Sequence, residues 1–199
     1  MLTRFGEVVP LSFTEVEETL EHFTGSWWIA GGWAIDLYLG RRTRDHDDVE
    51  IAVRFDDQGD LREALSGWDL HVVDEGSLRP WERGDGLELP LHQLWARRDS
   101  HAPWSLEILF EATEGDEWIF RRDPRVRLPV ADFGRVASNG LPIVAPEVEL
   151  LFKAKDPRVK DESDFAHALP ALDPMARAWL HAALTLVFDD HPWLRAWDR

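Results

Sequence analysis

The segment from residue 27 to residue 53 constrains the fold more than any other part of the chain. It opens with a short apolar run, Trp27-Trp28-Ile29-Ala30, which predicts a buried strand. Gly31 and Gly32 follow directly, and Trp33–Leu39 then predicts a helix that ends at Gly40. Two glycines between a strand and a helix let backbone N–H groups approach a ligand, and the start of the helix favours phosphate. Taken alone, the pattern also fits a plain tight turn.

A second strand is predicted at Asp48–Val53, where polar and apolar residues alternate. Alternate side chains of a strand share a face, so Asp48 and Glu50 would point the same way with Cα atoms roughly 6.6 Å apart. Two such carboxylates could hold Mg²⁺, which prefers oxygen ligands and combines carboxylates with substrate phosphates. An isolated pair would equally suit the solvated face of a strand. Here a glycine turn precedes the carboxylate pair, and Arg44 and His46 lie in the loop between the turn and the pair. A phosphate site, a cationic loop and a carboxylate pair are the three parts that metal-assisted nucleotidyl transfer needs.

The remaining patterns divide the chain into two parts. Further strands are predicted at 70–74, 89–98, 104–112 and 118–121, and helices at 12–23, 56–65, 146–154, 161–169 and 173–188. We therefore expect an α+β fold, with a mixed sheet and flanking helices in an α/β domain at 1–144. A helical C-terminal domain would follow at 145–199.

The composition excludes several classes of protein. The 199 residues include no cysteine, so a disulfide framework, a zinc–thiolate site and a cysteine nucleophile are impossible. A formal net charge of −16 argues against nucleic acid as the main partner, because phosphate backbones would be repelled. No stretch approaches the ~18 apolar residues of a membrane span, and the N-terminus lacks the apolar run of a signal peptide. We expect a cytoplasmic protein, monomeric or homodimeric, with no membrane partner.

These residues also carry a resemblance to known enzymes. The runs Trp28–Asp36, Leu39–Arg41 and Thr43–Glu50 resemble the core motif of the aminoglycoside 2″-adenylyltransferase family, and lincosamide nucleotidyltransferases have a similar version. A weaker likeness continues at Pro146–Lys153 and Lys160–Asp164. Both families belong to the polymerase-β-type nucleotidyltransferase superfamily. The resemblance implies a nucleotidyltransferase domain with a small mixed sheet, followed by a helical C-terminal region.

The resemblance implies a nucleotide-binding role for five residues. Gly31 and Gly32 would bind the triphosphate. Arg44, His46 and Lys160 would contact the nucleotide, and the alternative for each of these three is an ordinary solvated side chain. His46 could instead orient Asp48 by a hydrogen bond.

Three acids are the expected metal ligands and catalytic residues. Asp48 and Glu50 would form the metal-binding pair, with Glu50 at a position where the commonest family pattern has Asp. Because Glu is one methylene longer, it would have to fold back or move the metal by about 1 Å. Glu107, in the middle of a later predicted strand, would be the third metal ligand or the general base. Glu111 and, more distantly, Glu88 are reserve candidates.

The implied activity is Mg²⁺-dependent transfer of a nucleoside monophosphate, AMP from ATP or another NTP, to a hydroxyl of a small molecule. An acidic protein with 11 tryptophans suits a cationic aminoglycoside, bound between the two parts of the chain. The expected biological role is antibiotic resistance. Two alternatives stay open: a lincosamide or another small metabolite as acceptor, and a non-catalytic nucleotide-binding homologue.

Overall fold

The computed structural model describes residues 2–3 and 5–198. The strands are β1 (Leu2–Thr3), β2 (Gly6–Glu7), β3 (Trp27–Ile29), β4 (Glu50–Arg54), β5 (Asp69–Asp74), β6 (Ser77–Pro80), β7 (Gln93–Arg97), β8 (Leu106–Glu114), β9 (Glu117–Ile119), β10 (Arg127–Pro129), β11 (Gly134–Val136) and β12 (Pro142–Val144). The α-helices are α1 (Phe13–Thr19), α2 (Gly31–Leu39), α3 (Gln58–Ala64), α4 (Val130–Phe133), α5 (Pro146–Lys153), α6 (Val159–Ala168) and α7 (Pro174–Val187). Short 3₁₀ turns occupy Phe55–Asp57, Leu169–Ala171 and Pro192–Asp198.

The chain forms two compact units, and neither is one continuous stretch of sequence. Unit 1 consists of Met1–Ile29 and His46–Gly115, and unit 2 consists of Ala30–Asp45 and Asp116–Arg199. The division of the sequence into domains at 1–144 and 145–199 stays a prediction.

Unit 1 is built on a mixed sheet. Its strands follow the order β3-β4-β8-β7-β5-β6, in which β4 and β8 are parallel and the other neighbours are antiparallel. The central strand β4 is buried on both faces, because Ile51, Ala52 and Val53 are each at most 1% exposed. Such two-sided burial matches its near-continuous apolar sequence. The first helix of this unit, α1, begins with a capping box, in which Ser12 and Glu15 bond each other's backbone N–H groups.

Unit 2 combines the helices α2, α4, α5, α6 and α7 with two antiparallel hairpins, β9–β10 and β11–β12. Aromatic rings form part of its core: Trp118 lies 5.2 Å from Phe133 and 6.0 Å from Phe152, measured between ring centroids. The helix α2 ends at Gly40, whose φ of +65° is the left-handed cap that glycine adopts at no steric cost.

The structure confirms the α+β class, the mixed sheet and the helical C-terminal region. It shifts several element boundaries, two of which concern the segment 27–53. The predicted helix 33–39 begins at Gly31, because both glycines form the first turn of α2. The predicted strand Asp48–Val53 begins at Glu50, because its pairing with β8 starts there, opposite Glu107. Six short strands, β1, β2, β6, β10, β11 and β12, were not predicted. Among the described residues, no helix is both long and apolar enough to cross a membrane.

Candidate active site

Two of the predicted metal ligands lie side by side in the sheet of unit 1. Strands β4 and β8 run parallel, and Glu50 is the direct partner of Glu107 in their register. Opposed residues of neighbouring strands point to the same face, with Cα atoms about 4.8 Å apart. Like charges at such positions destabilise a sheet. Two acids placed here therefore suit a site that takes up a cation or a proton.

The surroundings of Glu107 fix the position of its carboxylate. The side chain is 5% exposed, and its Oε1 accepts a hydrogen bond of 2.5 Å from the amide Nε2 of Gln93. Gln93 lies on β7, the other neighbour of β8, where Trp95 is the direct partner of Glu107. A buried acid held by a neutral amide keeps the ability to bind a metal or accept a proton.

The register also separates Glu107 from the reserve candidates. Glu111 lies four residues further along β8, opposite Arg54 on β4, so its neighbour in the sheet is a cation rather than a second acid. Glu88 is exposed in the loop before β7. Of the three later acids, Glu107 is the one whose partner in the sheet is Glu50.

The structure corrects the placement of Asp48. We predicted that Asp48 and Glu50 share one face of a strand, but Asp48 lies two residues before β4 begins. The ladder extends slightly beyond the strand, since the Glu107 N–H donates to the carbonyl of Val49 at 3.0 Å. Asp48 is half-buried, and its carboxylate makes no hydrogen bond or ion pair with any described residue. An acid of this kind is available to bind a cation.

No preformed metal cage is present in residues 2–3 and 5–198, where no group of three or more His, Asp or Glu side chains could hold an ion. The donor set that the structure does provide is a pair of opposed carboxylates with a third acid close by in the sequence. Mg²⁺ is usually bound by one or two carboxylates, with water and substrate phosphates completing its shell. The residues present fit that kind of ion.

Unit 2 contains the glycine turn, and a carboxylate already occupies it. Gly31 has φ of +66°, a left-handed conformation that glycine tolerates, and its N–H is the first donor of α2. The N-cap residue Ala30 offers no side-chain bond. Instead, Oε1 of the buried Glu149, on α5, accepts from the Gly31 N–H at 2.9 Å. The negative charge stabilises the positive end of the helix, as a phosphate would.

Arg44 belongs to a buried ionic network in unit 2. Its Nε and Nη2 atoms lie 2.8 and 2.9 Å from the two oxygens of Asp164, which is fully buried on α6. The hydrogen bonds that Arg44 donates to Asp164 are the main reason that the pKa of Arg44 is raised. Lys153 contacts the same Asp164 at 3.0 Å and reaches Asp161 at 3.4 Å. These contacts give Arg44 a structural function. Its role in nucleotide binding stays a prediction.

A second buried acid shapes the loop after α2. Asp36 is 3% exposed, and its carboxylate accepts from the backbone N–H of Thr43 at 3.1 Å and from its hydroxyl at 2.5 Å. The carbonyl of Asp36 also accepts from Arg41 N at 3.1 Å. The loop that leads to Arg44 is therefore tied to the end of α2.

The other predicted nucleotide-binding residues differ in their surroundings. Lys160 is half-buried on α6 and makes no ion pair or hydrogen bond with the described residues. His46 is half-buried and lies two residues before Asp48. Gly32 occupies the first turn of α2. The roles of these three residues stay predictions.

Sequence reasoning missed the roles of Glu149, Asp161 and Asp164. All three stand in the helical motifs that carry the weaker resemblance, and all are at most 6% exposed. A signal was available in the pattern, since Glu149 stands among the apolar residues Val148, Leu150 and Leu151. Acids in an apolar run need a buried partner.

Solved structures share the fold of this chain at low sequence identity. The lincomycin-bound lincosamide antibiotic adenylyltransferase LnuA matches with a TM-score of 0.54 and 17% identity, over 81% of this chain and 97% of its own. ANT(2″)-Ia in complex with adenylyl-2″-tobramycin matches with a TM-score of 0.57 and 17% identity, over 87% of this chain and 95% of its own. These matches show that the mixed sheet with flanking helices is the fold that this chain shares with both proteins.

Curated relatives match over a shorter stretch at higher identity. A 2″-aminoglycoside nucleotidyltransferase from Escherichia coli is 44% identical over 63 residues, and one from Klebsiella pneumoniae matches equally. The aligned stretch covers 30% of this chain and 34% of either relative, so it spans about a third of their length.

The family match extends much further along the chain. The model of the aminoglycoside-2″-adenylyltransferase family matches residues 12–167, which include the carboxylates of the sheet, the glycine turn and the whole buried ionic network. This chain belongs to the aminoglycoside-2″-adenylyltransferase family.

Proposed function

We propose that this protein is a Mg²⁺-dependent nucleotidyltransferase that transfers AMP from ATP to a hydroxyl of an aminoglycoside. The observation that carries the proposal is the register of the sheet, which sets Glu50 directly opposite Glu107 in a chain of this family. The 2″-aminoglycoside nucleotidyltransferase relatives support the reaction and the class of acceptor. Resistance to the antibiotic would be the biological consequence.

The proposed metal ligands are Asp48, Glu50 and Glu107. When bound, Mg²⁺ would stabilise the negative charge that develops on the phosphates during transfer. Asp48 supplies a carboxylate that has no other described partner. Gln93 holds Glu107 in place by its amide, so the same carboxylate can also act as general base.

The reaction itself needs one bond to form and one to break. The acceptor hydroxyl oxygen attacks the α-phosphorus of ATP, and its proton passes to Glu107. The bond from the α-phosphorus to the bridging oxygen breaks, and pyrophosphate leaves with that electron pair. Glu107 is only 5% exposed and is therefore largely shielded from water. This shielding favours proton transfer from a bound hydroxyl to its carboxylate.

The proposed nucleotide-binding residues are Gly31, Gly32, Arg44, His46 and Lys160. They differ in whether a carboxylate of the protein already engages them. The Gly31 N–H and the Arg44 guanidinium are engaged by Glu149 and Asp164, so either would have to exchange that partner for a phosphate. Lys160 has no such partner among the described residues, so it could bind a phosphate without giving up an ion pair.

Pyrophosphate release tests the proposal directly. We would mix the protein and Mg²⁺ with each of the four NTPs and with a panel of aminoglycosides and lincosamides. We expect release with ATP that depends on an aminoglycoside, and Asp48→Asn should abolish it without changing the unfolding midpoint. Aminoglycoside-dependent release that survives in Asp48→Asn would contradict the metal-site assignment, and release with lincosamides alone would move the acceptor to that class.

A non-catalytic nucleotide-binding homologue is the second candidate. It is favoured by Glu149, which already neutralises the start of α2, and by Glu50 at the family's usual Asp position. Thermal unfolding with ATP separates the two. Stabilisation that is equal with and without Mg²⁺, together with no pyrophosphate release, would favour binding without turnover.

A further inference from the structure

Unit 2 contains a cavity of about 660 Å³, and none of the residues that line it is assigned to the proposed reaction. Its walls come from the first turns of α5 and α7 and from the segment 128–135. A volume of this size accommodates a drug-sized molecule.

One wall of the cavity is apolar and lies on α7. Met175, Ala176 and Trp179 line it from adjacent turns of the helix. Met175 is 83% exposed, whereas Trp179 is half-buried. An exposed methionine beside a partly covered indole is typical of surfaces that bind apolar ligands of varied shape.

Another wall of the cavity contains a buried acid with an unsatisfied oxygen. Glu147 is 5% exposed, and its Oε1 accepts from Nη2 of Arg135 at 2.6 Å. Its Oε2 has no hydrogen-bond partner among the described residues. Arg135 also lies 3.4 Å from Asp173, which caps α7 by accepting from two backbone N–H groups. The acceptor that remains unused in this wall is Glu147 Oε2.

The charges of the lining favour a cation. Three acids, Asp132, Glu147 and Asp173, stand against a single guanidinium, that of Arg135. The hydrogen bonds of the α7 backbone lower the pKa of Asp173, so this acid stays ionised at neutral pH. A ligand that donates N–H groups to Glu147 and places an apolar body against Trp179 would satisfy both walls.

We propose that this cavity is a second binding site, and that its ligand is an organic amine with an apolar body. The site lies apart from the start of α2. Glu147 and Glu149 are two residues apart on α5, so their side chains diverge by about 200° around the helix axis. Glu149 contacts Gly31, and Glu147 therefore faces away from it.

The two methionines of the chain, Met1 and Met175, make a direct test possible. With ¹³C-methyl methionine, the protein gives a Met175 signal at the cavity mouth that can be followed by NMR. We would titrate 4-phenylbutylamine, 4-phenylbutanol and 4-phenylbutyrate, which share an apolar body and differ in charge. We expect a saturable shift of Met175 with the amine, at a Kd roughly three- to tenfold below that of the alcohol, and weaker binding still of the carboxylate.

Two variants probe the charges, with one matched control. Glu147→Gln and Asp132→Asn should each raise the Kd of the amine roughly three- to tenfold, and Glu21→Gln, at an exposed position of unit 1, should not change it. Asp132 is exposed, so its variant keeps the test valid if Glu147→Gln unfolds. A Met175 signal that none of the probes moves, or equal affinities for the amine and the alcohol, would overturn the proposal. The readout is independent of nucleotidyl transfer.

Discussion

The acids of the sheet in unit 1 and the acids of the helices in unit 2 are arranged in opposite ways. Glu50 and Glu107 are direct neighbours of equal charge, and Asp48 makes no ion pair with a described residue. Asp164 is held by Arg44 and Lys153, and Asp161 is held by Arg158 and Lys153.

The difference separates two uses of buried carboxylates. An acid that a cation already neutralises contributes to stability, and removing it leaves that cation buried and unpaired. Acids that face each other are costly to the folded state and become useful when a cation or proton arrives. We therefore expect substitution of the facing acids to lower activity, and substitution of the paired acids to lower stability.

The largest expected effect is on turnover, at Glu107. Glu107→Gln should lower kcat/KM for the transfer by roughly 10²- to 10⁴-fold, because the amide can neither accept the proton nor bind the metal as a carboxylate does. Pyrophosphate release measures it, and circular dichroism checks the fold. Glu111→Gln, on the same strand but opposite Arg54, is the matched control and should stay within a few-fold of the parent. Equal losses in the two variants would contradict the assignment.

The next effect is on stability, at Asp164. Asp164→Asn should reduce the free energy of unfolding by about 3–5 kcal/mol, because Arg44 and Lys153 lose the buried charge that they share. Urea denaturation would show a lower midpoint at an unchanged m value. Asp156→Asn, at an exposed position, should leave the midpoint unchanged. A loss below about 1 kcal/mol would show that this network contributes no more to stability than a solvent-exposed ion pair does.

Two lysines of the helical region offer a smaller but sharper comparison. Lys160→Ala should raise the KM for the nucleotide about tenfold, a change of about 1.4 kcal/mol, and leave the unfolding midpoint unchanged. Lys153→Ala should lower the midpoint, since Lys153 is 9% exposed in its side chain and contacts two buried acids. Steady-state kinetics and urea denaturation of both variants make the test. A raised nucleotide KM in Lys153→Ala together with a lowered unfolding midpoint in Lys160→Ala would contradict the comparison.

The smallest expected effect is on stability at acid pH, and it concerns Asp161. Burial raises the pKa of Asp161, but hydrogen bonds from Arg158 and the charge of Lys153 outweigh it and lower the pKa to about 2. A depressed pKa stabilises the folded state above the unfolded value of about 3.9, and this contribution is lost as the pH falls towards about 2. Unfolding midpoints measured across this range should therefore fall less steeply in Asp161→Asn than in the parent. Parallel curves would show that Asp161 contributes nothing to acid sensitivity.

Local patterns predicted most of the elements around the candidate site. The strand at Trp27–Ile29 and the end of α2 at Gly40 are determined by nearby residues, and the structure confirms both. The alternation after Asp48 located strand β4 with an error of two residues. The error arose because the start of a strand is set by its partner, and β8 lies more than fifty residues away in the sequence.

The partners of buried acids could not be predicted for the same reason. Nothing local to Gly31 indicates that Glu149 accepts from it, because the two residues are separated by 118 positions. The contact between Arg44 and Asp164 spans 120 positions. The register that sets Glu50 opposite Glu107 was not predicted either, because it depends on two strands that are distant in the sequence.

The interrupted course of the two units has a consequence for how this protein can be divided. Residues 30–45 belong to unit 2 although the sequence on both sides of them belongs to unit 1. A single cut, whether by a protease or by a cloned truncation, therefore cannot release either unit intact. Chimeras between relatives would face the same constraint. A crossover within residues 30–45 would join two incompatible halves of unit 2, whereas an exchange of residues 30–45 together with 116–199 would transfer that unit whole.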